Sequence, residues 1–388
     1  MSKLEELIQK YCPDGVKFYH LNDVATIKRG ERVTKAQLIP DGQYPVISGG
    51  VKPLGHLNRY NREANTITIA QYGTAGYVDW QQNQFWANDV CYSVFPSKNI
   101  NNRFLFFVLL HNQQLLYSLK TNAIPACLPL DKLAGVEIPV PPLPIQEEIV
   151  EVLDTFTELQ AELQAELQKR LQQYNYYRDS IFLFEGRSDV EWKKLGEIAS
   201  IKTGRRFVRT DIRESGVPCF HYGDIYTYYG LTATQTKGFL DAELAKKLRF
   251  AQPNDVVVVC AGENDMDIGV GVAWLGDKPA VVHDACCILH HNQNPRYISH
   301  FLRTHNYHLQ MKKYVKNGKI SSLPASGLAE ALIPLPSLDE QEKIASILDR
   351  FDTLTNDLVA GLPAEIEKRR QQYEYYRDKL LTFKRKEA

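Results

Sequence analysis

The sequence predicts an α+β protein of two tandem domains, each a mixed or antiparallel sheet with a few helices, separated by two long helices that pack as an antiparallel coiled coil. Three observations predict it. The chain is written twice, the bodies of the two copies alternate short β-rich runs with turn residues, and each copy ends in a long run of apolar residues at steps of three and four. At 388 residues, with 44% hydrophobic and 24% charged composition, there is material for two domain cores and a connecting element.

The repeat is read from three markers. "HLNDVATIKRGER" at 20–32 matches "KLGEIASIKTGRR" at 194–206, which pairs Gly30 with Gly204 and Arg32 with Arg206 at an offset of 174. "IPVPPLPIQEEIVEVLDTF" at 138–156 matches "IPLPSLDEQEKIASILDRF" at 333–351 at an offset of 195, and "KRLQQYNYYRD" at 169–179 matches "KRRQQYEYYRD" at 368–378 at 199. The bodies therefore diverge, the second being 21 residues longer, while the frame keeps its spacing to within four residues. A period near 190 is a duplicated domain-plus-helix unit and not a solenoid.

The first domain is expected over 1–145. Its runs "TITIAQYG", "YVDW" and "VCYSVFP" read as strands bounded by turn residues, and "RFLFFVLLHNQQLLYSL" at 103–119 reads as one helix. A Pro-rich segment then stops any strand and sits well before a helix start. The central helix is expected over 146–185: from Ile149 the apolar stripe runs Val152, Phe156, Leu159, Leu163, Leu167, Leu171, Tyr174, Tyr177, Ile181 and Phe184. That is about 36 residues, roughly 54 Å. Inside it, "TELQAELQAELQ" at 157–168 repeats a four-residue unit. Each unit turns the helix about 400°, so successive leucines drift only about 40° and stay on one side.

The second domain is expected over 186–339, with the strands "DVVVVCAG", "GVAWLG" and "CCILHH" and the helix "PRYISHFLRTHNYHLQMKKYV" at 295–315. A C-terminal helix is expected over 340–388, kinked near 361–363, where "AGLP" interrupts the stripe. Two long helices with one apolar stripe each bury it against a partner, either in a dimerisation stalk between two chains or within one chain. The order domain, helix, domain, helix favours the second.

Several functions are excluded. The longest apolar runs, "FLFFVLL" at 104–110 and "VVVVC" at 256–260, fall short of the ~18 residues of a membrane span. The N-terminus lacks a secretory pattern, so the chain is expected in the cytoplasm with its seven cysteines reduced. No C-x-x-C or H-E-x-x-H spacing marks a metal site, and no P-loop, G-x-S-x-G or dinucleotide fingerprint is present. "GVGVAW" at 269–274 continues as strand, no N-P-P-Y-type segment occurs, and "ENDMD" at 263–267 has no E-x-K partner.

Lys plus Arg balances Asp plus Glu at 46 each, so charge must be read locally. Lys17 to Tyr60 holds seven basic residues against Asp23, Glu31 and Asp41, and Lys193 to Arg213 holds seven against Glu197 and Asp211. Each domain thus opens on a basic patch at an equivalent position. Interleaved with aromatic residues, as in "FHYGDIYTYYG" at 220–230, such patches suit contacts to nucleic-acid phosphates and base edges.

The order of variable domain, "P-[PS]-L-x-x-Q-E", long helix, variable domain, the same marker and a helix ending "QQYEYYRD" resembles the DNA-specificity (S) subunit of type I restriction-modification systems over the whole chain. The "TELQAELQAELQ" repeat is similar to that of the IC-like branch. The resemblance implies that each body is a target recognition domain reading one half of a split, asymmetric DNA site, that the helices are the spacer, and that two methyltransferase subunits dock on the frame. S-adenosylmethionine would be bound by those partners and no cofactor by this chain; restriction and translocase subunits would complete the complex.

On that reading Lys28, Arg29, Arg32, Lys202, Arg205 and Arg206 are expected on DNA. So are Gln71, Tyr72 and Thr74 of "QYGTAG", Glu263, Asn264 and Asp265 of "GENDMDIG", and Tyr222. The marker glutamines Gln146 and Gln341, with Tyr174, Tyr177, Arg178, Tyr373, Tyr376 and Arg377 near the helix ends, are expected to meet the methyltransferase subunits. A complete methyltransferase or nuclease, or a coiled-coil adaptor, are the alternatives. Missing catalytic motifs weigh against the first, and the duplicated basic patches weigh against the second.

Overall fold

β-branched and apolar side chains set the central strand of each body. Thr66–Ala70 is buried at every position, and so is Val256–Val259. Strands covered on both faces need this composition. The computed structural model describes residues 3–262, 268–316, 318, 320–357 and 360–387. It divides into two units, Met1–Glu162 with Glu367–Ala388, and Leu163–Ile366.

In the first unit, Ala25–Arg29, Cys91–Pro96, Thr66–Ala70 and Val78–Gln81 lie in that order in an antiparallel sheet, with Ile27 and Ile67 flanking Val94. A smaller sheet places Tyr44–Ile47 between His56–Leu57 and the parallel strand Trp86–Ala87. The second unit repeats the plan: Ala199–Thr203, Cys286–His291, Val256–Val259 and Gly271–Trp274 follow in the same order, joined by the parallel edge strand Thr232–Ala233. Its smaller sheet pairs Val217–Phe220 with the parallel strand Ala280–Val282. Most of the extra length of the second body falls between these elements. The offset climbs from 173 at Ile47 and Phe220 to 189 at Ile67 and Val256, and the added chain includes Tyr222–Thr227 and the edge strand Thr232–Ala233, while Gly238–Leu240 is the counterpart of His56–Leu57.

The helix expected at 103–119 is two helices, Asn102–His111 and Gln113–Ser118, and that at 295–315 is Pro295–Phe301 and His305–Met311. Side chains supply the punctuation. Asn112 turns its amide back to the Val108 carbonyl at 3.0 Å, and Thr304 caps the second helix by accepting the Tyr307 N–H at 3.2 Å. Phe104 to Leu109 are all buried, which explains why this helix is apolar all round.

The central helix, Leu143–Ile181, runs 39 residues and contributes to both units. The C-terminal run is two helices, Leu338–Asn356 and Leu362–Leu381. At the break, a Cβ on Gly361 would stand 2.4 Å from the Thr353 carbonyl oxygen, so only glycine fits there. Within the first unit Phe156 stacks on Tyr376, centroids 5.4 Å apart. Within the second, Tyr177 meets Phe351 at 5.8 Å and Arg187 pairs with Glu340 at 3.0 Å, so these segments run antiparallel. Phe156 corresponds to Phe351 and Tyr177 to Tyr376 in the repeat, so the same aromatic pair closes each helix contact.

Candidate nucleic-acid interface

The two basic patches are placed by one backbone device. Gly30 donates to the Cys91 carbonyl at 3.0 Å and Gly204 to the Cys286 carbonyl at 2.9 Å. A Cβ would lie 2.1 Å from the Ala87 carbonyl oxygen at Gly30 and 2.2 Å from the His283 carbonyl oxygen at Gly204. The chain therefore leaves the first strand of each sheet along one path, and Arg32 and Arg206 emerge at matched places. Both are exposed, and neither has a hydrogen-bond or ion-pair partner among the described residues. Lys35 and Arg209, three residues further on, are exposed in the same way and begin matched 3₁₀ turns.

The other expected cations differ in freedom. Lys28 and Lys202 are exposed on their strands, Lys28 with its ammonium 5.6 Å from the Phe95 ring. Arg29 lies 5.7 Å from the Tyr92 ring, and Arg205 donates to the Lys247 carbonyl at 2.8 Å. Free guanidinium and ammonium groups on one surface contact phosphate at low desolvation cost.

The "QYGTAG" loop corrects one expectation. Gln71 is only 4% exposed, and its backbone is bonded to Val90 and Leu128, so it anchors the loop from beneath and presents nothing to a base. Gly73 and Gly76 take positive φ values of 71° and 94°, which turns Thr74 outward, its hydroxyl donating to the Gly49 carbonyl at 2.8 Å. Tyr72 is half-buried beside Cys127. Glu263, Asn264 and Asp265 lie outside the described residues.

In the second body Tyr222 joins a cluster that the residue list missed. Its ring is 4.6 Å from His221 and 5.3 Å from His283, with the two imidazoles 4.9 Å apart. With Phe207, Arg206 and Arg209 they line a cleft of about 390 Å³. His221 stands in the quoted "FHYGD" run, but only the pairing of Phe220 with Val282 brings it to His283.

These features make two matched basic surfaces on related folds. A sequence model of the type I restriction modification DNA specificity domain matches residues 13–173 and again residues 187–368. The chain belongs to this family. It is 30% identical over 420 residues to the EcoR124I/EcoR124II specificity subunit of Escherichia coli, covering 100% of this chain and 98% of that one. It is 29% identical over 404 residues to the type I restriction enzyme specificity subunit S.HindORF215P of Haemophilus influenzae, covering 98% of each. The fold is shared with a crystal structure of a type I restriction-modification S subunit from M. genitalium, at a TM-score of 0.60 and 18% identity over 95% of this chain and 96% of that one. A chain from a structural study of type I complex assembly and conformational transition aligns at a TM-score of 0.61 and 16% identity, over 96% of this chain and 98% of that one. Membership makes the chain a DNA-recognition subunit and not the enzyme of its system.

The frame of this specificity subunit corrects further expectations. Gln146 and Gln341 are fully buried. Each accepts from the backbone N–H of an asparagine that caps a body helix, Asn101 at 2.8 Å and Asn294 at 3.1 Å. Each also donates to the proline carbonyl five residues back, Pro141 at 2.7 Å and Pro336 at 3.0 Å. With every polar atom engaged inside, the marker glutamines fasten body to helix and offer no docking surface. Arg103 with Asp154 at 2.7 Å, and Arg296 with Asp349, form a second matched fastening.

Tyr174 is likewise interior, 3% exposed with its hydroxyl 3.3 Å from His300 Nδ1, and burial pushes its phenol well above the ordinary range. Arg178 and Arg377 lie against Tyr174 and Tyr373, Tyr373 and Tyr376 are half-buried, and Tyr177 is 43% exposed. The most open aromatics are the middle tyrosines of the marker, Tyr176 at 68% and Tyr375 at 62%. Two residues on from Tyr174 is about 200° around a helix. Helical phase was the signal that finds them.

Proposed function

We infer that this subunit reads a bipartite, asymmetric DNA site, one half-site per body, and positions two methyltransferase subunits that bring S-adenosylmethionine to it. The observation that carries this reading is two matched pairs of exposed cations, Arg32 with Lys35 and Arg206 with Arg209, with side chains free of partners among the described residues, at equivalent positions of divergent bodies on a matched frame. Identical frames serve identical partners, and different bodies read different sequences. Lys28, Arg29, Lys202 and Arg205 extend the phosphate contacts, while Tyr72, Thr74, Tyr222 and the segment Glu263, Asn264 and Asp265 supply base contacts. Tyr177 and Tyr376, with the open Tyr176 and Tyr375, form the surface for the methyltransferase subunits, since exposed aromatics anchor interfaces. Restriction and translocase subunits complete the complex in the cytoplasm.

Mapping methylated bases across the host genome, with and without this gene, tests the reading. A split motif that disappears with the gene supports it. An unchanged methylome, or methyl transfer by the purified chain alone, would sink it.

A further inference from the structure

The two bodies hold their matched cations against different walls. Val33, Ser48 and Asn88 in the first body stand where Phe207, His221 and His283 stand in the second: Ser48 and Asn88 follow the paired residues Ile47 and Ala87, and His221 and His283 follow the paired residues Phe220 and Val282. In the first body this place is closed. Asn88 is 5% exposed, accepts the Val33 N–H at 2.9 Å and donates to the Ser48 hydroxyl at 3.3 Å. In the second it opens as the cleft of about 390 Å³.

Among the described residues the charged and imidazole groups that line the cleft are Arg206, Arg209, His221 and His283, with Asp284 as the one carboxylate. His221 Nδ1 accepts the Gly223 N–H at 3.3 Å, so the proton of its neutral ring sits on Nε2, whereas His283 Nδ1 lies 3.1 Å from the Ala285 nitrogen and 3.0 Å from an Asp284 carboxylate oxygen. The side chains of Arg206 and Arg209 have no hydrogen-bond or ion-pair partner among the described residues. Two guanidiniums against the single carboxylate of Asp284, itself beside His283, leave this cleft with an excess of positive charge, which an anion would complete.

We propose that this cleft is a phosphodiester clamp belonging to the second body alone, in which Arg206 and Arg209 grip a DNA backbone phosphate and the imidazoles of His221 and His283 become protonated as it seats. The clamp rests on the DNA-reading function above. Its proton linkage follows from the surroundings of each ring. Burial, with His283 and Arg209, holds His221 below its ordinary value against the pull of Asp224. Burial, with Arg206, holds His283 down against Asp284 and a backbone bond to Phe207. Asp224 is already paired with Lys237 at 3.1 Å, and the Asp284 carboxylate lies 3.0 Å from the His283 ring. Both rings are thus neutral in the free subunit near neutral pH. A phosphate between the guanidiniums reverses the sign of the local field and raises both values, so the complex binds more protons than the free protein. Affinity must then rise as pH falls through the values in the complex.

The test measures DNA affinity of the full chain, in complex with a methyltransferase, on a duplex carrying both mapped half-sites. The wild type is compared with the double variant His221→Ser, His283→Asn, which installs the residues that the first body uses at the same place. Between about pH 8 and about pH 6 the wild type should tighten by up to roughly tenfold per pH unit for each linked proton, and the double variant should lose most of that gain. Arg206→Gln should lower the salt slope by about one unit without altering preference among sequences; this arm stands even where the histidine variant unfolds. An unchanged pH response in a folded double variant overturns the clamp, as does an unchanged salt slope in Arg206→Gln. A loss confined to particular base pairs of one half-site also overturns it, since the wall would then read bases. Absence of salt-sensitive DNA binding by the wild type would instead remove the underlying function.

Discussion

The glutamine of each Pro-Gln marker shows how a residue can be legible as important and misread as to why. Its recurrence at an offset of 195 marks Gln146 and Gln341 as frame residues, but a sequence does not say which way a side chain faces. The fold turns both inward, where each joins a capped body helix to a spacer helix. Replacing Gln341 with Ala leaves the Asn294 N–H and the Pro336 carbonyl without their partner in a buried site. We expect a loss of about 2 to 4 kcal/mol, read from denaturant unfolding of the whole chain; a loss below about 0.5 kcal/mol would show that the bonds are not needed. Arg32, expected on DNA phosphate, is exposed, and its side chain has no hydrogen-bond or ion-pair partner among the described residues. Arg32→Ala should weaken binding to all DNA sequences alike and lower the salt slope by about one unit, measured by titration at several salt concentrations. An unaltered slope would remove Arg32 from the phosphate contacts.

At the scale of elements, periodicity carried the long helices and failed on the short ones. The stripe from Ile149 to Phe184 identifies the central helix to within a few residues of Leu143–Ile181, because a buried stripe must recur at the helical period. Asn102–His111 is buried from Phe104 to Leu109, so its pattern carries no phase from which to see the break at Asn112, while the break at Leu302–Thr304 is set by the Thr304 cap. The four-residue repeat is a further consequence of phase. Leu159 and Leu163 are half-buried and Leu167 is buried, so one unit more or fewer keeps the stripe in contact. Each unit adds about 6 Å of helix, against about 3.4 Å per base pair of DNA. Inserting one "AELQ" after Gln168 should leave both half-sites intact and lengthen the unread spacer between them by about one base pair. Methylation mapping reads the result; full activity at the old spacing would show that these helices do not set the distance.

For the molecule as a whole, the matched fastenings predict interchangeable bodies. The first strand of each sheet starts at Ala25 or Ala199, and each body ends at the strand holding Ile138 or Ile333. Across these limits the contacts of Gln146 with Asn101 and of Gln341 with Asn294, and the Arg103–Asp154 and Arg296–Asp349 pairs, recur. A chain carrying residues 199–332 in place of 25–137 should fold, and its methylated site should contain the second half-site twice and the first not at all. Retention of the first half-site in that variant would place its reading outside the body.

By itself the sequence determined the duplication, the α+β bodies, the long helices, the basic patches and the family resemblance, since all of these are written in spacing, and spacing survives along a chain. Only the tertiary structure decided which marker residues are interior, that Gln71 anchors its loop, and that His221 and His283 meet. Those facts depend on strand register: Phe220 pairs with Val282, 62 positions further along the sequence, and no local pattern encodes which distant strand lies alongside.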